Sequence, residues 1–140
     1  MKPRITIGAL AITIAALLAV ACDNTASSGE KTISSTKTAD LTITLASATG
    51  QLKSGDNELM LSFADSSGAL VDVGAASLKF HMPPMASMAE MNSSAALTTT
   101  DTPGKYRARV KIDMGGSWEA RISYEGPHGT GQATMSVIAK

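Results

Sequence analysis

The most constraining feature of this sequence is an alternation of apolar and polar residues with a period of two, which begins near residue 40. In the first such segment, Leu41, Ile43 and Leu45 alternate with Thr42 and Thr44. This alternation is typical of a β-strand that has one buried and one solvated face. The same pattern recurs at 59–63, 78–80, 106–112, 118–124 and 133–139.

Residues that favour turns separate these segments. Glycine, proline, asparagine, aspartate and serine cluster at positions 50, 54–57, 65–68, 101–104, 115–116 and 126–129. About seven short strands in about 100 residues predict an all-β domain over residues 40–140, an immunoglobulin-like antiparallel β-sandwich. A short barrel is the alternative. The chain has one cysteine, so the Cys…Trp…Cys core of antibody domains is missing.

The N-terminal residues have the pattern of a secretory signal. Lys2 and Arg4 precede an apolar run from Ile5 to Ala21 that ends in small residues just before Cys22. This run is at the short limit for a membrane-spanning helix, which needs about 20 residues. The stretch 18–22 resembles a bacterial lipobox, in which the cysteine becomes lipidated. We therefore predict a lipoprotein signal peptide, as a helix, over residues 1–21.

Lipidation of Cys22 would anchor the mature chain to a membrane of the bacterial envelope, on the periplasmic side. Residues 23–39 are small and polar and lack hydrophobic periodicity. Such a segment cannot bury enough apolar surface to fold. We therefore expect residues 22–39 to be a lipidated flexible tether between the membrane and the domain.

Composition and motifs exclude several classes of function. The chain has 12 basic and 12 acidic residues, whereas a nucleic-acid-binding protein would carry a basic excess. Two histidines and one cysteine leave little room for a multi-histidine zinc centre or a disulfide framework. The sequence has no Gly-x-Ser-x-Gly motif and no phosphate-binding glycine loop. We therefore expect that the protein is not an enzyme.

One segment departs from the strand pattern because it concentrates methionine. Four of the eight methionines follow His81 at a spacing of three, namely Met82, Met85, Met88 and Met91. Two prolines, at 83 and 84, must end the preceding strand. The second proline could open one or two helical turns through Met91, which would place the methionines on one face. Alternatively, a wrapped loop could make them converge.

A cluster of thioethers has a specific chemistry. The sulfur is neutral and soft, and it prefers Cu(I) to hard ions such as Mg²⁺. The four methionines are therefore candidate Cu(I) ligands, with His81 as a fifth, in a site that holds and passes on copper. Two alternatives remain open: the methionines fill the core, or they form an adaptable surface for a protein partner without a metal.

Four short motifs resemble those of the YtkA-like domain family. They are Asp65–Val71 (D-x-x-G-x-x-V), Met82–Met85 (Met-Pro-x-Met), Gly104–Tyr106 (Gly-x-Tyr) and Met114–Trp118 (Met-x-Gly-x-Trp). The resemblance implies an immunoglobulin-like β-sandwich that is exported to the bacterial envelope and has no enzymatic activity. Its relatives include FixH, an accessory to a cation pump.

The resemblance also implies partners and further site residues. The partner would be a cation pump, a heavy-metal efflux system or an assembly factor of a terminal oxidase. Many members place a histidine two residues after the second methionine, where this chain has Ser87. Met114 and Trp118 match the family pattern. The indole ring could cover a bound cation, or it could belong to the core, because Trp118 shares the strand parity of Ala120.

Overall fold

The computed structural model describes residues 29–127 and 129–140 as an all-β structure. Backbone hydrogen bonds between extended segments define nine strands, which are β1 (Lys31–Lys37), β2 (Thr42–Ser47), β3 (Gly55–Ala64), β4 (Ala75–Met82), β5 (Met91–Ser94), β6 (Ala96–Thr99), β7 (Lys105–Ile112), β8 (Gly116–Gly126) and β9 (Gly129–Ala139). Each of the six segments in which the sequence alternates falls on a strand, with Leu41 alone lying one residue before β2. No helix in the described residues is long and apolar enough to cross a membrane.

The strands form two antiparallel sheets. One sheet has the order β1-β2-β3-β7-β6 and the other has the order β5-β4-β8-β9. If β1 is set aside, these orders match the ABED and C′CFG sheets of an immunoglobulin domain. The predicted immunoglobulin-like sandwich is therefore confirmed, with nine strands instead of about seven.

The core lies between the sheets because alternate residues of each strand point inward. The five-stranded sheet contributes Phe63 and Leu61, and the four-stranded sheet contributes Phe80 and Trp118, all buried. The ring of Phe63 packs edge-on against two tyrosines from the two sheets, Tyr106 at 5.7 Å and Tyr124 at 5.6 Å between ring centroids. Edge-to-face contacts of this kind stabilise a core beyond the area they bury.

Strand β1 corrects part of the tether prediction. Residues 31–37 pair with β2 along its length, from Lys31 opposite Ser47 to Lys37 opposite Thr42, so this part of the chain is not a flexible tether. An edge strand can form from polar residues because the backbone ladder stabilises it. The apolar run 5–21 and Cys22, on which the signal and lipidation predictions fall, lie outside the described residues.

The segment 91–99 passes from one sheet to the other. Its first part, β5, pairs with β4, and its second part, β6, pairs with β7. Ala95 stands between them, and its N–H donates to the Leu78 carbonyl at 2.9 Å. The crossing fixes the position of β5, which carries one of the candidate ligands.

At the end of the sandwich where β4 begins, a tyrosine holds the loop that connects β3 to β4. The Tyr106 hydroxyl donates to the Gly74 carbonyl at 2.7 Å and lies 3.3 Å from the Asp72 carboxylate. Burial raises the pKa of Tyr106, and the negative charge of Asp72 adds to the effect. The loop is also close to Gly104, where a Cβ would come within 2.6 Å of the Val71 carbonyl oxygen, so only glycine fits.

Candidate soft-metal site

Residues 82–91, here called the methionine hairpin, connect β4 to β5. Pro83 and Pro84 follow β4 and cannot donate to a ladder. The chain then reverses between Met85 and Met88, which exchange two backbone hydrogen bonds, with N···O distances of 3.1 and 2.7 Å. The helical turns suggested for Pro84 to Met91 are therefore absent from the structure, and a tight hairpin turn takes their place.

The turn itself contains Ala86 and Ser87. Ala86 has a φ of 49°, the only positive φ of a non-glycine residue in the described part of the chain. Two-residue hairpin turns require positive φ at their first central position, because only such turns match the twist of the strands. The backbone at Ala86 is therefore strained because the chain reverses immediately after two prolines.

The hairpin places the four methionines, which are spaced three residues apart in the sequence, in two cross-strand pairs. Met82 lies directly opposite Met91 in the β4–β5 ladder, and Met85 lies directly opposite Met88 at the turn. Residues that face each other in this way have Cβ atoms about 4.5–5.5 Å apart on one side of the ribbon. We call Met82 and Met91 the inner pair, and Met85 and Met88 the outer pair.

The inner pair belongs to the sandwich interior. Met82 is buried, and Met91 is partly buried and packs against the core. The Cε atom of Met82 lies against Gly116, so close that a Cβ there would be 3.0 Å away. Gly116 also has a φ of 135°, a conformation that side-chain-bearing residues rarely adopt. The glycine at the start of β8 therefore provides the space for the thioether of Met82.

Met114 and Trp118 lie at the same end of the four-stranded sheet. In the β4–β8 ladder, Phe80 lies opposite Ala120 and His81 lies opposite Glu119. The next position in this register brings Met82 beside Trp118 on the inner face of the sheet. Its indole N–H donates to the Met114 carbonyl at 3.1 Å. Trp118 is almost completely buried and Met114 is partly buried. Three methionines and one tryptophan thus share this end, here called the inner cluster.

The outer pair is exposed. Met85 and Met88 retain 50% and 40% of their accessible surface, which makes them two of the four large exposed apolar residues among those described. The structure therefore divides the four candidate methionines into an inner pair, with Met82 buried and Met91 partly buried, and an exposed outer pair, rather than gathering them at one point.

His81 lies on the outer face of the four-stranded sheet, opposite in parity to Met82. Its Nδ1 is 2.9 Å from the Asn92 side-chain oxygen and 3.9 Å from a carboxylate oxygen of Glu90. Because an amide oxygen only accepts, the first contact places a proton on Nδ1, and in the neutral ring Nε2 then carries the lone pair. His81 therefore has a nitrogen suited to a metal, but it does not face the inner pair.

Residues 29–127 and 129–140 contain no group of three or more histidine, cysteine, aspartate or glutamate side chains placed to hold a metal ion. The side chains that this end of the domain offers are sulfur donors, and sulfur donors select soft metals.

A comparison with family models identifies the chain. The model of the YtkA-like family matches residues 26–123, which include the methionine hairpin. The protein belongs to the YtkA-like family. The resemblance read from the four motifs is thereby confirmed. No curated protein and no solved structure matches this YtkA-like chain.

Two of the four YtkA-like motifs have structural roles here. In the first, the Asp65 carboxylate accepts hydrogen bonds from the Ser67 hydroxyl at 2.6 Å and from the backbone N–H groups of Ser67 and Ala69. The hydroxyl bond is the main cause that lowers the pKa of Asp65. The Gly104–Tyr106 motif holds the loop after β3. The two methionine motifs, Met82–Met85 and Met114–Trp118, instead meet at one end of the sandwich.

Sequence analysis included Gly116 in the Met114–Trp118 motif without assigning it a role, and it gave no role to Asn92 or Glu90 beside His81. Gly116 makes room for the Met82 thioether, and Asn92 and Glu90 contact the His81 ring. The proline pair was the available signal, because a strand that stops at two prolines and resumes seven residues later is also the pattern of a hairpin.

Proposed function

We propose that this YtkA-like protein binds a soft metal ion, Cu(I), through its methionine hairpin. The observation that carries the proposal is the meeting of two methionine motifs at one end of the sandwich, where the inner pair, Met114 and Trp118 lie together. Thioethers suit Cu(I) because they are soft and neutral. They also need no deprotonation, so binding would persist in mild acid.

The inner cluster, which combines buried Met82 and Trp118 with partly buried Met91 and Met114, is suited to holding the ion. Met82, Met91 and Met114 offer up to three sulfur ligands, which is enough for a three-coordinate monovalent ion. The indole N–H of Trp118 is occupied by the Met114 carbonyl, so the ring can offer a cation only its face. Met82 is buried within the apolar core, which would keep water away from a bound ion.

The exposed outer pair is suited to exchange. Met85 and Met88 stand at the tip of the hairpin, where an ion or another protein can reach them without any opening of the core. His81, on the outer face of the same hairpin, remains the candidate fifth ligand through Nε2. In this proposal the protein carries copper and performs no catalysis.

The cellular setting completes the proposal. A lipid on Cys22 would hold the protein at the periplasmic side of a bacterial membrane. There it would supply copper to, or accept copper from, a cation pump, an efflux system or a terminal oxidase under assembly. Membrane attachment raises the local concentration of such partners, so weak contacts at the hairpin would suffice.

The test is an anaerobic titration of the mature protein with Cu(I) against a competing chelator. Two double variants separate the pairs: Met82→Leu with Met91→Leu, and Met85→Leu with Met88→Leu. Leucine conserves volume, so each change should cost less than about 1.5 kcal/mol of stability. We expect at least a tenfold weaker affinity for the inner variant and slower exchange for the outer variant.

Two other methionines provide matched controls. Met135 is buried in β9, which β8 separates from β4, and Met60 is partly exposed on β3 in the other sheet. Met135→Leu and Met60→Leu should therefore leave affinity and exchange unchanged. If both hairpin variants bind Cu(I) as tightly as the controls, the ligand assignment is wrong.

A second function is favoured by the exposure of the outer pair. Exposed methionines form adaptable protein interfaces, and the hairpin tip could dock onto an envelope transport or respiratory complex without a metal. Capture of the partner complex, with and without a copper chelator, discriminates between the two functions. Capture that is indifferent to copper, in a protein that does not bind Cu(I) tightly, would favour docking.

A further inference from the structure

The outer face of the five-stranded sheet is the positively charged side of the domain. By strand parity and register it carries five basic residues and three acidic ones, here called the basic face: Lys37, Lys105, Arg107, Arg109 and Lys111, with Glu30, Asp56 and Glu58. Its net charge is +2. The described residues together have ten basic and eleven acidic side chains, so the remainder carries −3.

The centre of this face is an ordered pair of arginines. One carboxylate oxygen of Glu58 is 3.4 Å from Nε of Arg107, and the other is 3.5 Å from Nε of Arg109. The arginine side chains remain 50% and 73% exposed. Glu58 thus holds two guanidinium groups side by side on the sheet surface, and guanidinium is the cation best suited to bind phosphate oxygens.

The chain enters the domain on this same face. Glu30, one residue before β1, contacts the Lys105 ammonium at 3.3 Å. Only seven residues lie between Cys22 and Glu30, and the eight residue-to-residue steps can span at most about 30 Å. Attachment through a lipid on Cys22 therefore keeps Glu30, where the chain joins the basic face, within about 30 Å of the lipid surface.

The opposite face has no comparable charge. The outer side of the four-stranded sheet carries Lys79 and Arg121, which Glu119 and Glu125 balance, and Glu90 beside His81 adds one negative charge. The potential of a membrane surface falls off within about 8 Å at physiological ionic strength, so only the face that touches the lipid contributes. Each basic residue near an anionic surface favours contact about fivefold, and a net charge of two therefore favours the basic face about 25-fold.

We propose that the basic face rests on anionic phospholipid headgroups. The tether supplies the affinity, and the charge difference between the two sheets sets the orientation. The four-stranded sheet, with the methionine hairpin at its edge, then faces away from the membrane and is open to soluble and membrane partners. The inference depends on membrane attachment and is independent of whether the hairpin binds copper.

Lysine acylation of the mature full chain on vesicles tests the orientation. The vesicles contain phosphatidylcholine alone or an equal mixture with phosphatidylglycerol, and mass spectrometry measures the modification rate at each lysine. On the anionic vesicles, Lys37 and Lys111 should react about fivefold or more slowly, whereas Lys79 should be unaffected. The protection should disappear in about 1 M salt, where screening acts within about 3 Å.

Matched charge-neutralising variants on the two sheets distinguish an effect of surface charge on lysine protection from an effect on folding. Arg107→Gln with Arg109→Gln should abolish the protection, and Lys79→Gln with Arg121→Gln should preserve it. All four sites are exposed, so thermal unfolding should be unchanged in both variants. Equal protection of Lys79, or the same protection on neutral vesicles, would overturn the proposal. Protection by polyglutamate but not by anionic vesicles would also overturn it and point to an acidic protein.

Discussion

Replacing Tyr106 by phenylalanine tests the reasoning about the loop after β3. The change removes the hydroxyl that donates to the Gly74 carbonyl at 2.7 Å and keeps the ring that packs against Phe63. A carbonyl left without its donor costs about 1–3 kcal/mol. Gly74 is only partly buried, so water can restore part of the bond and we expect about 1–2 kcal/mol. For a domain of this size, the melting temperature should fall by about 4–10 °C.

The pH dependence of stability provides a second test of the Tyr106 hydroxyl. Burial and the nearby Asp72 raise the pKa of Tyr106 above its ordinary value of 10.0. The neutral hydroxyl therefore contributes stability that is fully present below about pH 10 and is lost as the pH rises through the folded-state pKa. The phenylalanine variant lacks this group, so the stability gap between the two proteins should narrow above about pH 10.

Tyr124→Phe is the matched control for this experiment. Tyr124 also packs edge-on against Phe63, but the described residues offer its hydroxyl no hydrogen bond. Chemical denaturation of both variants across pH should show a clear loss for Tyr106→Phe and a much smaller one for Tyr124→Phe. Equal losses would show that the Gly74 bond does not hold the loop.

Three further changes have defined outcomes. Gly116→Ala should lower the free energy of unfolding by about 1–3 kcal/mol because of backbone strain. It should also displace the Met82 methyl group and so weaken Cu(I) binding. An unchanged Cu(I) titration would show that Gly116 does not support the metal site. Phe63→Ala should lower the free energy of unfolding by about 3–5 kcal/mol, which should be visible as a loss of cooperative thermal unfolding. A small shift in melting temperature would mean that the core relaxes to fill the space left by the ring. Asp65→Asn should lower stability at neutral pH, because the Ser67 bond lowers the Asp65 pKa in the folded state. The stability difference should begin to shrink below about pH 3.8 and vanish only as the pH falls through the lowered folded-state pKa; urea midpoints measured in steps from about pH 7 to about pH 2 check this.

The sequence alone determined six of the nine strands and their inward faces. The alternation at residues such as Leu41, Ile43 and Leu45 is a local property, because successive side chains of any strand point to opposite sides. The turn residues between the segments set the number of reversals. Together these patterns predicted an immunoglobulin-like sandwich, and the motifs pointed to the YtkA-like family.

Only the tertiary structure decided which strands pair and in which register. Strand β1 has no apolar alternation and forms through backbone hydrogen bonds to β2, which no local pattern reveals. A methionine spacing of three fits either one face of a helix or a folded hairpin. The pairing of Met82 with Met91 depends on where the chain reverses, and His81 falls on the opposite face for the same reason. These outcomes depend on contacts between residues distant in sequence, whereas the alternation depends on neighbours alone.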